Sequence, residues 1–112
     1  TSPLITIKTI NKCIEILKNN KKIDSILTVK KIYSWFWFNQ KPVNYDPRVL
    51  PRSQDAKPIV METTGLYGIR AHSLKKYKCR IGKKPHFYSV SQKESLDLDT
   101  IEDFKILKRI YK

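Results

Sequence analysis

From Trp35 to Pro58 the chain reads WFWFNQKPVNYDPRVLPRSQDAKP, four consecutive aromatics followed by four prolines at 42, 47, 51 and 58. Proline fixes φ and lacks a backbone N–H, so this density of prolines excludes a helix or a central strand. The stretch is expected to be an extended excursion, and residues 33–58 are read as an arm. A strand buries alternate side chains, so two of the four aromatics should face outward unless a second chain covers them. A homodimer is therefore expected.

The segments around the arm carry regular periodicities. Ile7, Ile10, Ile14 and Leu17 form one helical stripe over Thr6–Asn20, with Thr6 as N-cap and Asn19–Asn20 as the exit. Asp24–Tyr33 (DSILTVKKIY) is β-branched and reads as a strand. Ile59–Ile69 reads as a second strand interrupted by Gly65 and Gly68, Ala71–Lys78 as a short helix, and His86–Val90 as a third strand. Thr100–Tyr111 reads as a helix with Ile101, Phe104, Leu107, Ile110 and Tyr111 on one side. The order is that of an α/β fold. Three strands are fewer than a doubly wound sheet needs, so the 112 residues are expected to be the back part of one larger domain. Ile26, Val29 and both helical stripes should then be partly uncovered.

Composition restricts function less than it first suggests. The formal charge is +13, from 23 basic and 10 acidic residues, which invites a nucleic-acid reading. Yet the cations are 18 Lys and only 5 Arg, beside 14 Ile, 2 Ala and 3 Gly. That bias inflates residues with A/T-rich codons and produces a lysine surface on any fold, whereas base and phosphate readout favours Arg. RNA binding is kept as a third reading only. No run approaches the ~20 apolar residues of a membrane span. Cys13 and Cys79 have neither metal-ligand nor disulfide-framework spacing, so a reducing, cytoplasmic compartment is expected.

Two short patterns carry candidate chemistry. In LDLDT (residues 96–100), alternation places Asp97 and Asp99 on one side if the segment is extended. Two carboxylates there suit Mg²⁺, which takes oxygen ligands and shares them with substrate phosphates. The competing reading is a helix cap, with Asp99 or Thr100 as N-cap and Asp99–Glu102 at capping-box spacing. In PRSQDAKP (residues 51–58), Arg52 offers a fork for a carboxylate or phosphate and Gln54 an amide. An ordinary polar loop is the alternative. His72 and His86 have no partner at informative spacing.

Taken in order, TSPL, DSILTV, PRSQD, ETTGLY, KPHFYSV and LDLDTIEDF resemble the acylneuraminate cytidylyltransferases, or CMP-sialic acid synthetases. The resemblance runs from Thr1 to about Ile110. It implies the C-terminal part of a Rossmann-like nucleotidyltransferase domain with a projecting dimerisation arm. It further implies transfer of CMP from CTP to a sialic-acid-like nine-carbon 2-keto sugar acid, with Mg²⁺ and release of pyrophosphate. By matching motifs, Asp99 resembles the metal-binding aspartate and Asp97 its companion. Arg52, Gln54 and Tyr67 resemble sugar-facing positions, and Thr1 and Ser2 the end of a ligand-touching loop. Ser53 stands where relatives often have a second arginine, and Thr64 where they usually have asparagine before Gly65. The family's N-terminal nucleotide loop has no counterpart, so these residues alone are expected not to turn over CTP. The rival readings are a non-catalytic α/β assembly module, in which LDLDT is only a cap, and the RNA-binding domain.

Overall fold

The structure is a computed structural model describing residues 1–49 and 51–111; Leu50, within the expected arm, lies outside the described residues. It is mixed α/β, with three α-helices and a small mixed sheet. The chain divides into two compact units, residues 1–30 with 62–112, and residues 31–61.

In the first unit, α1 (Ile7–Asn19) starts where the Thr6 hydroxyl accepts the Thr9 N–H at 3.1 Å. The strand β1 (Ser25–Ile32) is central, hydrogen-bonded on one side to β4 (Ile59–Ile69) and on the other to β5 (Pro85–Ser89). β1 and β5 are parallel, in register from Ser25 opposite Pro85 to Val29 opposite Ser89. Toward β4 the linked positions run in opposite order, with the Arg70 N–H on the Asp24 carbonyl and the Thr63 hydroxyl on that of Thr28. Ser25, Ile26, Leu27, Thr28 and Val29 are all buried. Five successive buried residues mean cover on both faces of the strand, as expected of a parallel-sheet interior. Ile26 and Val29 are thus covered, contrary to the sequence expectation. The helical stripes are the part left open: Ile7, Ile14, Ile101, Phe104 and Tyr111 are exposed.

Inward from α1 point Thr9 and Cys13. At 100° per residue, this buried line lies roughly a quarter turn from the stripe of isoleucines. Burial and the nearby Glu94 charge push the Cys13 thiol pKa up. The glycines do not interrupt β4. At Gly68 a Cβ would lie 2.9 Å from Ile26 Cγ2 and 3.4 Å from Leu17 Cδ2, so the missing side chain is what lets these two approach. α2 (Ala71–Tyr77) and α3 (Ile101–Ile110) complete the unit. α3 opens with a reciprocal capping box: the Asp103 N–H donates to the Thr100 hydroxyl at 3.1 Å, and Asp103 Oδ2 accepts the Thr100 N–H at 2.8 Å. The cap is therefore Thr100 with Asp103, not Asp99 with Glu102. The three-residue offset is correct but starts one residue later, which leaves Asp99 outside the helix.

The second unit contains the arm. β2 (Trp37–Phe38) and β3 (Lys41–Pro42) form a two-stranded antiparallel hairpin. Asn39 and Gln40 between them both have positive φ, 48° and 62°, as a two-residue type I′ turn requires. Asn44 ties the unit together: its Oδ1 accepts the Phe36 N–H at 2.9 Å, and its Nδ2 donates to the carbonyls of Ser34 and Lys57. Tyr45 packs against Trp35 and Trp37, with ring centroids 5.0 and 6.0 Å apart, and its hydroxyl accepts the Trp37 indole N–H. Trp37 and Phe38 remain exposed.

Candidate functional site

Three segments far apart in sequence meet around Asp97. Its Oδ1 accepts the Leu98 N–H at 2.9 Å, and its Oδ2 lies 2.9 Å from the Thr64 hydroxyl. The Leu98 N–H also reaches the Thr1 carbonyl at 2.7 Å. Hydrogen bonding from the Thr1 side chain, and then from Thr64 and the Leu98 amide, holds the Asp97 carboxyl below the usual carboxylate range, against an upward push from burial. Ser2 completes the cluster: a Cβ on Gly65 would lie 3.1 Å from its hydroxyl oxygen. The structure thus brings together Thr1, Ser2 and Asp97 from among the sequence candidates, and adds Thr64 and Gly65 of β4.

In the sequence Thr64 is a departure from the resemblance, and sequence reasoning does not place it at a site. Its φ is 61°, in the left-handed region that β-branched side chains avoid. Its hydroxyl lies 2.6 Å from the Thr63 carbonyl and 2.9 Å from Asp97, and its single proton serves one acceptor at a time. Beneath it, the buried Thr63 and Thr28 hydroxyls are 2.7 Å apart, and Thr63 Oγ1 accepts the Gly65 N–H. This part of β4 is thereby anchored to the central strand. The available signal was the threonine itself, placed before a glycine at a position that suits asparagine.

Asp99 differs from Asp97. It is exposed, and its carboxylate has no hydrogen-bond partner among the described residues. Only its N–H is engaged, by Asp103 at 3.2 Å. No group of three or more His, Cys, Asp or Glu side chains placed to hold a metal occurs among the described residues. What the segment offers a hard cation is one free carboxylate, with the second already holding donors.

Tyr67, Arg52 and Gln54 are the remaining candidates. The Tyr67 hydroxyl donates to Glu62 at 2.6 Å, and the Arg80 guanidinium lies 4.1 Å from its ring centroid. The Glu62 hydrogen bond, with burial, pushes the Tyr67 pKa up. Arg52 and Gln54 belong to the second unit, on and beside the 3₁₀ turn Ser53–Asp55. Arg52 Nε donates to Asp55 Oδ2 at 2.9 Å, the rest of its guanidinium has no hydrogen bond among the described residues, and Gln54 is exposed.

Two long-range clamps were also not legible. Glu94 Oε1 accepts from the Thr9 hydroxyl at 2.6 Å and from both the N–H and the hydroxyl of Thr6, holding the start of α1. Arg70 donates to the carbonyls of Leu17, Asn20 and Ile23, holding its end. α1 has no acidic residue in its first turn, so its N-terminal partial charge is complemented by a side chain 88 residues away. No helix among the described residues is long and apolar enough to cross a membrane. Compared with models of known protein families and with curated protein sequences, the chain matches none of them.

Proposed function

We propose that the chain is part of a Rossmann-like nucleotidyltransferase that transfers CMP from CTP to a sialic-acid-like nine-carbon 2-keto sugar acid, releasing pyrophosphate. One observation carries this reading. The TSPL, ETTG and LDLD segments, three of the motifs on which the resemblance to acylneuraminate cytidylyltransferases rests, converge on Asp97 and on the strained backbone of Thr64 in β4. Strain of this kind persists where surrounding structure enforces it, and it gathers at functional sites.

Phosphoryl transfer asks little covalent chemistry of a protein; it needs charge neutralisation and alignment. In this reading Asp97, kept ionised by its donors, positions the loop, and Asp99 presents the free carboxylate. Magnesium fits one such carboxylate with substrate phosphates completing its shell, and when bound it neutralises charge on those phosphates. By the same resemblance Arg52, through the guanidinium nitrogens that Asp55 leaves open, suits the sugar carboxylate, and Gln54 and Tyr67 suit its polar groups. The exposed Trp37 and Phe38 meet a second copy of the chain. Those same aromatics favour a second reading, in which assembly is the whole role.

The experiment is pyrophosphate release by the full gene product with CTP, Mg²⁺ and N-acetylneuraminate, beside Asp99→Asn. Because Thr100 caps α3, the substitution leaves the helix intact. We expect kcat to fall about 100-fold or more with no change in melting temperature. Unchanged turnover would remove Asp99 from the mechanism, and absence of turnover in the parent protein would favour the assembly reading.

A further inference from the structure

At the opposite end of the parallel strands lies an open groove of about 370 Å³, within the size range of small-ligand sites. Asp24 and Lys84 immediately precede β1 and β5, and both line it, as do Lys18 on α1, Lys21 and Lys22 just after it, and Arg70 just after β4. Lysines at a helix C-terminus ordinarily serve the helix carbonyls. Here that role is taken, because Arg70 already donates to Leu17, Asn20 and Ile23. The one carboxylate in the groove is engaged as well. Asp24 accepts from the Ser25 hydroxyl and from the N–H groups of Lys83 and Lys84. None of Lys18, Lys21, Lys22 or Lys84 has an acidic partner at salt-bridge distance among the described residues.

We propose that this groove binds a compact polyphosphate anion. Lys18, Lys21, Lys22 and Lys84 line one groove in which both built-in counter-groups are already used, so an incoming anion need displace nothing. Lysine ammoniums act as point charges and impose no planar fork, which suits tetrahedral phosphate groups presented in several orientations. Among the described residues lining the groove there is no Phe, Tyr or Trp, and His72 is the one ring, so it lacks the succession of stacking platforms on which single-stranded nucleic acid depends. Arg70 and Asp24, which also line it, fasten the end of α1, the start of β1 and the loop before β5 to one another. The groove is independent of the Asp97 cluster and of the transferase reading.

The test is calorimetric titration of the protein with inorganic tripolyphosphate and, in a parallel arm, with ATP. Lys21→Gln/Lys22→Gln is expected to weaken tripolyphosphate binding about tenfold. Lys8→Gln/Lys12→Gln, which removes the same charge from α1 outside the groove, should leave it within about twofold. All four lysines are exposed, so both variants should keep the parent melting temperature. Equal affinity for tripolyphosphate and ATP would identify the phosphates alone as the ligand, and tighter ATP binding a nucleotide-borne chain; either supports the site. Failure of the parent protein to bind, equal loss in both variants, or stronger binding of a single-stranded oligonucleotide through the same two lysines would each overturn it.

Discussion

The two ends of the β1–β5 pair are both organised by an aspartate, and they are built differently. At the amino end, Asp24 takes three donors from Ser25, Lys83 and Lys84, and a Cβ at Gly82 would overlap its carboxylate. Partial burial pushes the Asp24 pKa up, but the hydrogen bonds from Ser25, Lys84 and Lys83 outweigh it and hold the group low. None of the residues holding this end has a positive φ. At the carboxyl end, Asp97 takes the same kind of donors, yet one of them is a threonine in the left-handed region. The two carboxylates are therefore held alike, and the backbone beside them is not. Stored backbone strain separates the end fastened by hydrogen bonds on relaxed backbone from the end whose shape is enforced at a cost.

The largest expected effect tests the fastening end. Arg70→Ala orphans three carbonyls and should cost about 3 kcal/mol in urea unfolding, because hydrogen bonds from a charged group are the stronger class. Arg70→Lys should recover less than half, since one ammonium does not span the acceptors a guanidinium does. A loss under about 1 kcal/mol would mean that the clasp contributes no more than a surface contact.

Thr64 tests the strained end. Thr64→Val keeps the β-branched strain and removes the hydroxyl, so it should destabilise by about 1–2 kcal/mol. Thr64→Asn tolerates positive φ and should be neutral to within about 0.5 kcal/mol, or stabilising. If both variants melt alike, the conformation at Thr64 is not strained and the contrast between the ends fails.

The clamp on the start of α1 gives a smaller effect with a distinctive pH dependence. For Glu94, partial burial raises the pKa but the bonds from Thr9 and Thr6 more than offset it, so its pKa lies below that of the unfolded chain. Its contribution is accordingly full above the unfolded value near ~4.3 and is lost as pH falls through the lower folded value. Glu94→Gln should cost about 1 kcal/mol at neutral pH, and its stability difference from the parent should shrink on acidification. A difference independent of pH would show that the charge is not what holds the helix. Smallest of all in stability is Phe38→Ser, expected to change unfolding by under about 0.5 kcal/mol because the ring is exposed. It should nonetheless weaken self-association in sedimentation equilibrium; unchanged association would take the hairpin out of the dimer contact.

The course of the chain was legible because it is set locally. A helix needs a cap and a turn-by-turn periodicity, both contained within a few residues, so Thr6 and the spacing from Ile7 to Leu17 locate α1. The prolines likewise keep the arm free of helix and central strand, while the hairpin and the 3₁₀ turn within it were not read from the sequence. What packing decided is which side of α1 turns inward: Thr9 and Cys13 are buried and Ile7 and Ile14 exposed, because Glu94 and Arg70 fix both ends of the helix from elsewhere in the chain. It also decided that Asp97 is engaged while Asp99, two residues on, is free. The donor that distinguishes them comes from Thr64, 33 residues away. A hydrogen bond requires its partners within about 3 Å, and local periodicity carries no information on which distant segments approach that closely. Only the packed chain does.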